Sequence, residues 1–192
     1  MPEVTPICQF GTKAISFSLN GVDKQIYSLE QIKGKNGTLV FFICNHCPYV
    51  KGVIDRLVSD IENLQKKGIG CVAIMSNDVE KYPEDSFDNM KKFSKDNNFT
   101  FPYLYDETQE VAKAYGAVCT PDFFGFNANL ELQYRGRLDE SRKEAGSANA
   151  RRELFEAMVL VAETGKGPVD QIPSMGCSIK WREDDPQKSV VS

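Results

Sequence analysis

Apolar positions along this chain recur in three distinct patterns, and the patterns change in a consistent order. Between residues 8 and 36, apolar and polar side chains alternate in two short segments, Ala14–Leu19 and Gln25–Leu29, separated at Asn20-Gly21. Alternation buries one face of a strand, and Asn-Gly suits a tight turn, so this region predicts a β-hairpin. Lys33-Gly34-Lys35-Asn36-Gly37 reads as a loop. Thr38–Cys44 is then almost wholly apolar and β-favouring, the pattern of a central strand covered on both faces. Val50, Val53, Ile54, Leu57, Ile61 and Leu64 follow at helical spacing, from Pro48 in the first turn to a stop at Lys66-Lys67-Gly68. Ile69–Met75 predicts a second buried strand.

The second half continues the alternation of strands and helices. Glu84–Asp96 predicts a polar helix with Phe87, Met90 and Phe93 on one side, Phe101–Tyr105 a short extended piece, and Thr108–Tyr115 a helix ended by Gly116. Asp122–Phe126 and Leu130–Tyr134, joined by Asn127-Ala128-Asn129, predict another hairpin. Ser147–Glu163 predicts the final helix, capped by Ser147 and closed by Gly165. This order predicts an α/β fold: a three-layer α/β/α sandwich with a mixed central sheet, an N-terminal hairpin and a C-terminal extension. No linker interrupts the pattern before about residue 165. Residues 1–165 are therefore expected to form one domain, and residues 166–192 an extension that packs back through Ile179 and Trp181.

Composition narrows the function classes. Of 192 residues, 26% are charged and 41% hydrophobic, ordinary for a soluble globular chain, and the net charge of −4 offers no basic footprint for nucleic acid or an anionic membrane. The first ten residues lack the basic and apolar regions of a secretory signal, and no apolar run approaches the roughly 20 residues that span a bilayer. The default expectation is a cytoplasmic protein whose thiols stay reduced. Six cysteines in a chain this long do not make a disulfide scaffold. Some are expected to pack, and one or more to react.

The chemistry concentrates in Cys44-Asn45-His46-Cys47-Pro48, which holds two of the six cysteines and the only histidine. A cysteine at a helix N-terminus faces unpaired N–H groups and the positive end of the helix dipole, which favour the thiolate. Cys47 is accordingly the expected nucleophile, with its pKa depressed first by the helix. His46 and Lys51 are candidate neighbours for the thiolate. Cys44 completes a Cys-x-x-Cys spacing, but three extended residues span about 10 Å, beyond the roughly 7 Å Cα limit of a disulfide, so the pairing depends on a bend at Asn45 and His46. Cys44, His46 and Cys47 also suggest a metal site, yet a structural zinc needs a fourth ligand and no second histidine exists; no metal or cofactor is expected.

Other cysteines and cations fill out the picture. Cys177 lies in Met175-Gly176-Cys177-Ser178-Ile179-Lys180-Trp181, which reads either as a resolving arm or as a cover for a sheet edge. Cys119 adjoins Thr120-Pro121, Cys71 reads as core, and Cys8 carries no local signal. Arg135 and Arg137 flank Gly136; a guanidinium near the thiol would hold a thiolate or an anion, although arginines beyond a hairpin more often face solvent. No phosphate loop or Ser-His-Asp set is present.

The element order, a cysteine after the first central strand and Thr120-Pro121 before a late strand together resemble the thioredoxin fold from roughly Ile15 to Glu163. Three separated motifs narrow the resemblance: Cys44 to Lys51, Thr120-Pro121-Asp122-Phe123-Phe124, and Gly176 to Trp181. They are similar to the peroxiredoxin-like branch of bacterial thioredoxin-family proteins, within the alkyl hydroperoxide reductase and thiol-specific antioxidant group. The resemblance implies that Cys47 is the nucleophile, that Pro48 follows it as in peroxiredoxins, and that Thr120 and a cis Pro121 face it and contact substrate. Against thioredoxins, Val50 stands at the resolving position and Phe41 at that of a buried acid. Against peroxiredoxins, Val40 replaces a proline, and Cys44 replaces the threonine that orients peroxide.

These features give an order of expectations. The first is a thiol–disulfide oxidoreductase in which Cys47 attacks a protein disulfide and Cys44 or Cys177 resolves the mixed disulfide, with a thiol as electron donor. His46 is expected beside them, with Pro48, Thr120, Pro121 and Arg137 toward the substrate. The second is a thiol peroxidase acting on small hydroperoxides. The third is a non-catalytic module that binds metal or a partner.

Overall fold

A single strand explains the layering. In the computed structural model, which describes residues 1–183, strand β4 (Gly37–Phe42) is buried along its whole length. Its side chains alternate between two cores. Leu39 and Phe41 join the apolar cluster that contains Leu57, Ile61, Leu64, Leu154 and Met158, whereas Val40 and Phe42 join one containing Leu29, Ile32, Ala112 and Tyr115. A period of two thus places one helix layer on each face.

The elements run β1 (Pro2–Val4), β2 (Ser18–Gly21), β3 (Ile26–Ser28), α1 (Leu29–Ile32), β4, α2 (Pro48–Lys51), α3 (Ile54–Gln65), β5 (Ile69–Met75), α4 (Phe87–Asp96), β6 (Tyr103–Tyr105), α5 (Glu110–Tyr115), β7 (Cys119–Thr120), β8 (Asp122–Phe126), β9 (Leu132–Tyr134), α6 (Glu153–Thr164) and β10 (Met175–Ser178). The central sheet has the order β3-β2-β6-β5-β4-β8-β9. β5 lies parallel to β4 and β6, while β8 and β9 are antiparallel. The predicted α/β sandwich with a mixed sheet is therefore the observed architecture. Helices α3 and α6 cover one face, and α1 and α5 the other. Among the described residues, no helix is long and apolar enough to cross a membrane.

Four local expectations are corrected. The hairpin turns at Val22–Gln25, not at Asn20-Gly21: Asn20 pairs with Ile26, Asp23 accepts the Gln25 N–H at 3.1 Å, and Lys24 takes a left-handed φ of 66°. The long helix after Pro48 is two helices, broken at Gly52-Val53, where Gly52 packs so closely that a Cβ would lie 2.6 Å from the Arg142 carbonyl oxygen. Helix α5 starts at Glu110 rather than Thr108, behind Gln109 in a left-handed conformation. Helix α6 starts at Glu153, and Ser147 is not its cap. The Arg56 guanidinium bonds Asp139, Ser141 and the carbonyls of Gly146 and Ser147, which holds this stretch in a loop.

A second sheet, β1-β10-β7, carries the tail. Ile179 is buried in the same core as Phe42, with Trp181 packed partly against it. Lys180 N–H donates to Asn77, the Lys180 carbonyl accepts from Asp78 N–H and the Gln109 amide, and Arg182 N–H donates to Gln109. Of the extension expected over 166–192, residues 184–192 lie outside the described residues.

Candidate functional site

The central strand stops at Phe42, and the chain then bends sharply through Asn45 and His46. The bend is held from three sides. Asn45 N–H donates to Asp85 Oδ1 at 2.8 Å, its amide nitrogen donates to the Glu84 carbonyl at 3.1 Å, and Tyr103 donates to its amide oxygen at 2.9 Å. The bend brings Cys44 back toward Cys47, so the separation of a fully extended chain does not apply, and each thiol shifts the pKa of the other. Pro48 occupies the first helical position of α2, where its missing N–H is harmless, and Cys47 precedes it.

Cys47 is completely covered, yet its thiol pKa is lowered to about 5. The leading cause is the hydrogen bond donated by the Cys44 thiol; burial opposes it, and the Cys177 thiol, the Cys177 backbone N–H and Thr120 assist. One contact works the other way. The Thr120 carbonyl oxygen, 3.2 Å from Cys47 Sγ, accepts only from the protonated thiol. The expectation that the helix N-terminus dominates is thereby corrected: α2 is a single turn, and a converging set of donors does the stabilising. Cys44 is correspondingly pushed well above the ordinary thiol value, chiefly because its proton is committed to Cys47, and burial pushes Cys177 up to about 11.

The Thr120-Pro121 peptide bond is cis. Thr120 Oγ1 lies 3.5 Å from Cys44 Sγ, so the loop faces both thiols. Strand β10 runs antiparallel to β7 with Cys177 opposite Thr120, which sets the third thiol beside Cys47. Gly176 permits this approach, since a Cβ there would stand 1.9 Å from the Thr120 carbonyl oxygen. Asp122 and Arg135 fix the loop from behind. Arg135 is buried, pairs with Asp122 at 3.0 Å and also donates to the Gly116 carbonyl, while Asp122 accepts the Val118 N–H.

The structure places the remaining candidates as follows. His46 Nδ1 sits 2.7 Å from Oδ2 of the fully buried Asp85, a close charge contact without the alignment of a good hydrogen bond. Asp85 raises the His46 pKa, and the ring stacks on Tyr82 at 5.8 Å. Arg137 pairs with Glu153 at 2.8 Å and lines a cavity of about 200 Å³ with Tyr49, Pro121 and Met175; it is not among the thiolate's donors. Lys51 is exposed. Cys119 and Cys71 are buried and held protonated mainly by desolvation, and Cys8 is raised to about 11 for the same reason. Asp85 and Tyr103 carry no motif in the sequence, and Asp122 stands there only within the Thr120–Phe124 motif. The only local hint was polar Ser76-Asn77-Asp78 directly after a buried strand.

Among the described residues, Cys44, His46 and Asp85 bring metal-ligating atoms together, all within 4.8 Å of one another. The imidazole–carboxylate separation of 2.7 Å is that of a paired contact. Two ligands on one tetrahedral zinc, each at roughly 2.0–2.1 Å, would stand about 3.3 Å apart.

This fold and site define a thiol-based redox protein, and comparison with known proteins gives the family. The AhpC/TSA family matches residues 10–137, and the chain belongs to it. No curated protein matches. The crystal structure of an uncharacterized conserved protein from Geobacillus kaustophilus is similar at 45% identity, with a TM-score of 0.91, covering 96% of this chain and 98% of that one. A hypothetical protein from Sinorhizobium meliloti is 34% identical, with a TM-score of 0.89 and coverage of 95% and 100%. The thioredoxin domain of a thiol-disulfide oxidoreductase from Bacteroides vulgatus shares the fold at 17% identity, with a TM-score of 0.55 over 66% of this chain and 86% of that one.

Proposed function

We propose that the protein is a cytoplasmic thiol–disulfide oxidoreductase with Cys47 as nucleophile. The observation that carries this reading is a fully buried sulfur at the cis-proline loop with two further thiols beside it, which lower its pKa to about 5. Cys47 attacks one sulfur of a protein disulfide, the other leaves as a thiolate, and a mixed disulfide forms. A second cysteine then attacks Cys47 Sγ and releases the substrate, and an external thiol restores the reduced form. Thr120 and cis-Pro121 present the loop that an extended substrate meets, and Arg137 with Pro121 lines the adjoining cavity.

Cys44 is the preferred resolving thiol. Cys47 has no exposed surface, so a protein disulfide reaches it only after β10 lifts from β7. Cys177 leaves with that strand, whereas Cys44 stays beside Cys47. Residues 1–165 act in this reading as the catalytic domain, with the described part of the extension, 166–183, as its cover.

A second reading uses the same covered sulfur, because a hydroperoxide needs a smaller opening than a protein disulfide does. There Cys47 attacks the O–O bond, an alcohol or water leaves, and the sulfenic acid condenses with a neighbouring thiol to release water. The test compares kcat/KM for a protein disulfide and for hydrogen peroxide with the same recycling system. Disulfide reduction is expected to be the faster. A peroxide value of about 10⁶ M⁻¹s⁻¹ or more reverses the order, and a chain without any fast-reacting thiol is a binding module instead.

A further inference from the structure

The mechanism above leaves a difficulty at Cys44. While Cys47 is a thiolate, the Cys44 thiol donates its proton to it. Once a substrate sulfur caps Cys47, that acceptor is gone, but Cys44 can attack only as a thiolate. Cys44 is 1% exposed, which keeps bulk water from serving as the base.

One buried group nearby has no assigned part. Asp85 is fully covered and reaches the site from a 3-10 turn, Pro83–Asp85, between β5 and α4. Its Oδ1 accepts the Asn45 N–H; its Oδ2 accepts the Asn77 amide at 2.9 Å and lies against His46. The Cys44 sulfur, a His46 nitrogen and an Asp85 oxygen all fall within 4.8 Å of one another, within reach of a transfer through one water. His46 is 27% exposed and connects this pocket to solvent. The other titratable groups facing the pair are Cys47, Tyr82 and Glu84, Tyr103 from β6, and Lys180 above the Tyr82 ring. Tyr103 already donates to Asn45, and burial holds its proton tightly. Thr120 Oγ1 touches Cys44 but is a weak base.

We infer that the Asp85–His46 pair is the proton acceptor for Cys44 as Cys44 resolves the mixed disulfide. This rests on the reading that Cys44 is the resolving thiol. In the step, the Cys44 S–H bond breaks and its proton passes to the pair. The Cys44–Cys47 bond forms as the Cys47–substrate S–S bond breaks, and the departing substrate thiolate takes a proton returned through His46. No further oxidant or reductant is involved. Between turnovers the same carboxylate keeps the proton on Cys44 and so leaves the charge on Cys47.

The test uses the full chain carrying Cys177→Ser, so that Cys44 alone can resolve, mixed with 5,5′-dithiobis(2-nitrobenzoate). The first release of thionitrobenzoate reports attack by Cys47, and the second reports resolution by Cys44. Adding Asp85→Asn is expected to leave the first release within about threefold and to slow the second about 10²-fold at pH 7. At high pH the loss of the negative charge eases Cys44 ionisation, so the variant overtakes its parent and the two pH profiles cross. His46→Gln, which keeps the buried carboxylate, slows the second release at pH 7 to a smaller extent. Unchanged second releases in both variants, or a slowing that is equal at every pH, overturn the inference while leaving Cys44 as the resolving thiol. A parent that shows the first release but never the second overturns the choice of Cys44, and this inference with it.

Discussion

Cys47 and Cys119 both adjoin Thr120 and both lack exposed surface, yet their surroundings shift the two thiol pKa values in opposite directions. Cys119 donates to the Pro121 carbonyl at 3.5 Å, and burial pushes its pKa far up. Cys47 as a thiol donates to the Thr120 carbonyl at 3.2 Å in the same way. The neighbouring Cys44 thiol, however, ahead of Cys177 and Thr120, stabilises its thiolate and lowers its pKa to about 5 despite the same burial. Exposure therefore does not separate the proposed nucleophile from its neighbour. What differs is whether neighbouring donors are available to the ionised sulfur.

The sharpest way to break the contrast is to delete each sulfur. Cys47→Ser is expected to abolish disulfide reduction with the fold intact, while Cys119→Ser retains turnover within about threefold; comparable activity in the two variants would sink the mechanism. Alkylation of the native protein should carry the same signature, with the Cys47 rate rising through pH of about 5 and Cys119 unmodified until the chain unfolds. Peptide mapping after brief iodoacetamide treatment measures both.

A smaller effect is expected from Cys44→Ala, which removes the strongest donor and leaves Cys177 and Thr120. The Cys47 titration should move upward toward the ordinary thiol value of about 8.5 without reaching it, and mixed disulfides should accumulate. An unmoved titration would mean that the remaining donors suffice. The smallest effect concerns stability. Cys47 is more acidic folded than unfolded, so its contribution is fully present above the unfolded thiol pKa and is lost as pH falls toward about 5. Urea unfolding of the reduced protein should thus show the advantage of wild type over Cys47→Ala growing from pH 5 to pH about 8.5. An advantage that is flat or shrinks across that window contradicts the thiolate assignment.

Local chemistry was legible in the chain, and distant chemistry was not. The buried run at β4, Pro48 at the start of a helix and Thr120-Pro121 before a strand each carry their meaning within a few residues. Asp85 and Tyr103 meet Asn45 across 40 and 58 positions, and no periodicity encodes such a meeting. Arg135 read as a surface cation because its partner, Asp122, becomes apparent only once β8 and β9 pair. Asn20-Gly21 is a good turn by propensity, but strand register moved the turn onward to residues 22–25. Ser147 is a good cap by type, but the Arg56 guanidinium holds its carbonyl in a loop.

The seating of β10 between β1 and β7 has one more consequence. Pro2 stands opposite Cys177, and Cys177 opposite Thr120, so both ends of the described chain are stitched to the cis-proline loop beside Cys47. Trp181, the sole tryptophan, lies four positions beyond Cys177 with Lys113 over its ring. On the proposed reading, the clasp that opens for a protein substrate carries its own fluorophore, and intrinsic emission is expected to change, without a label, when the strand over Cys47 lifts.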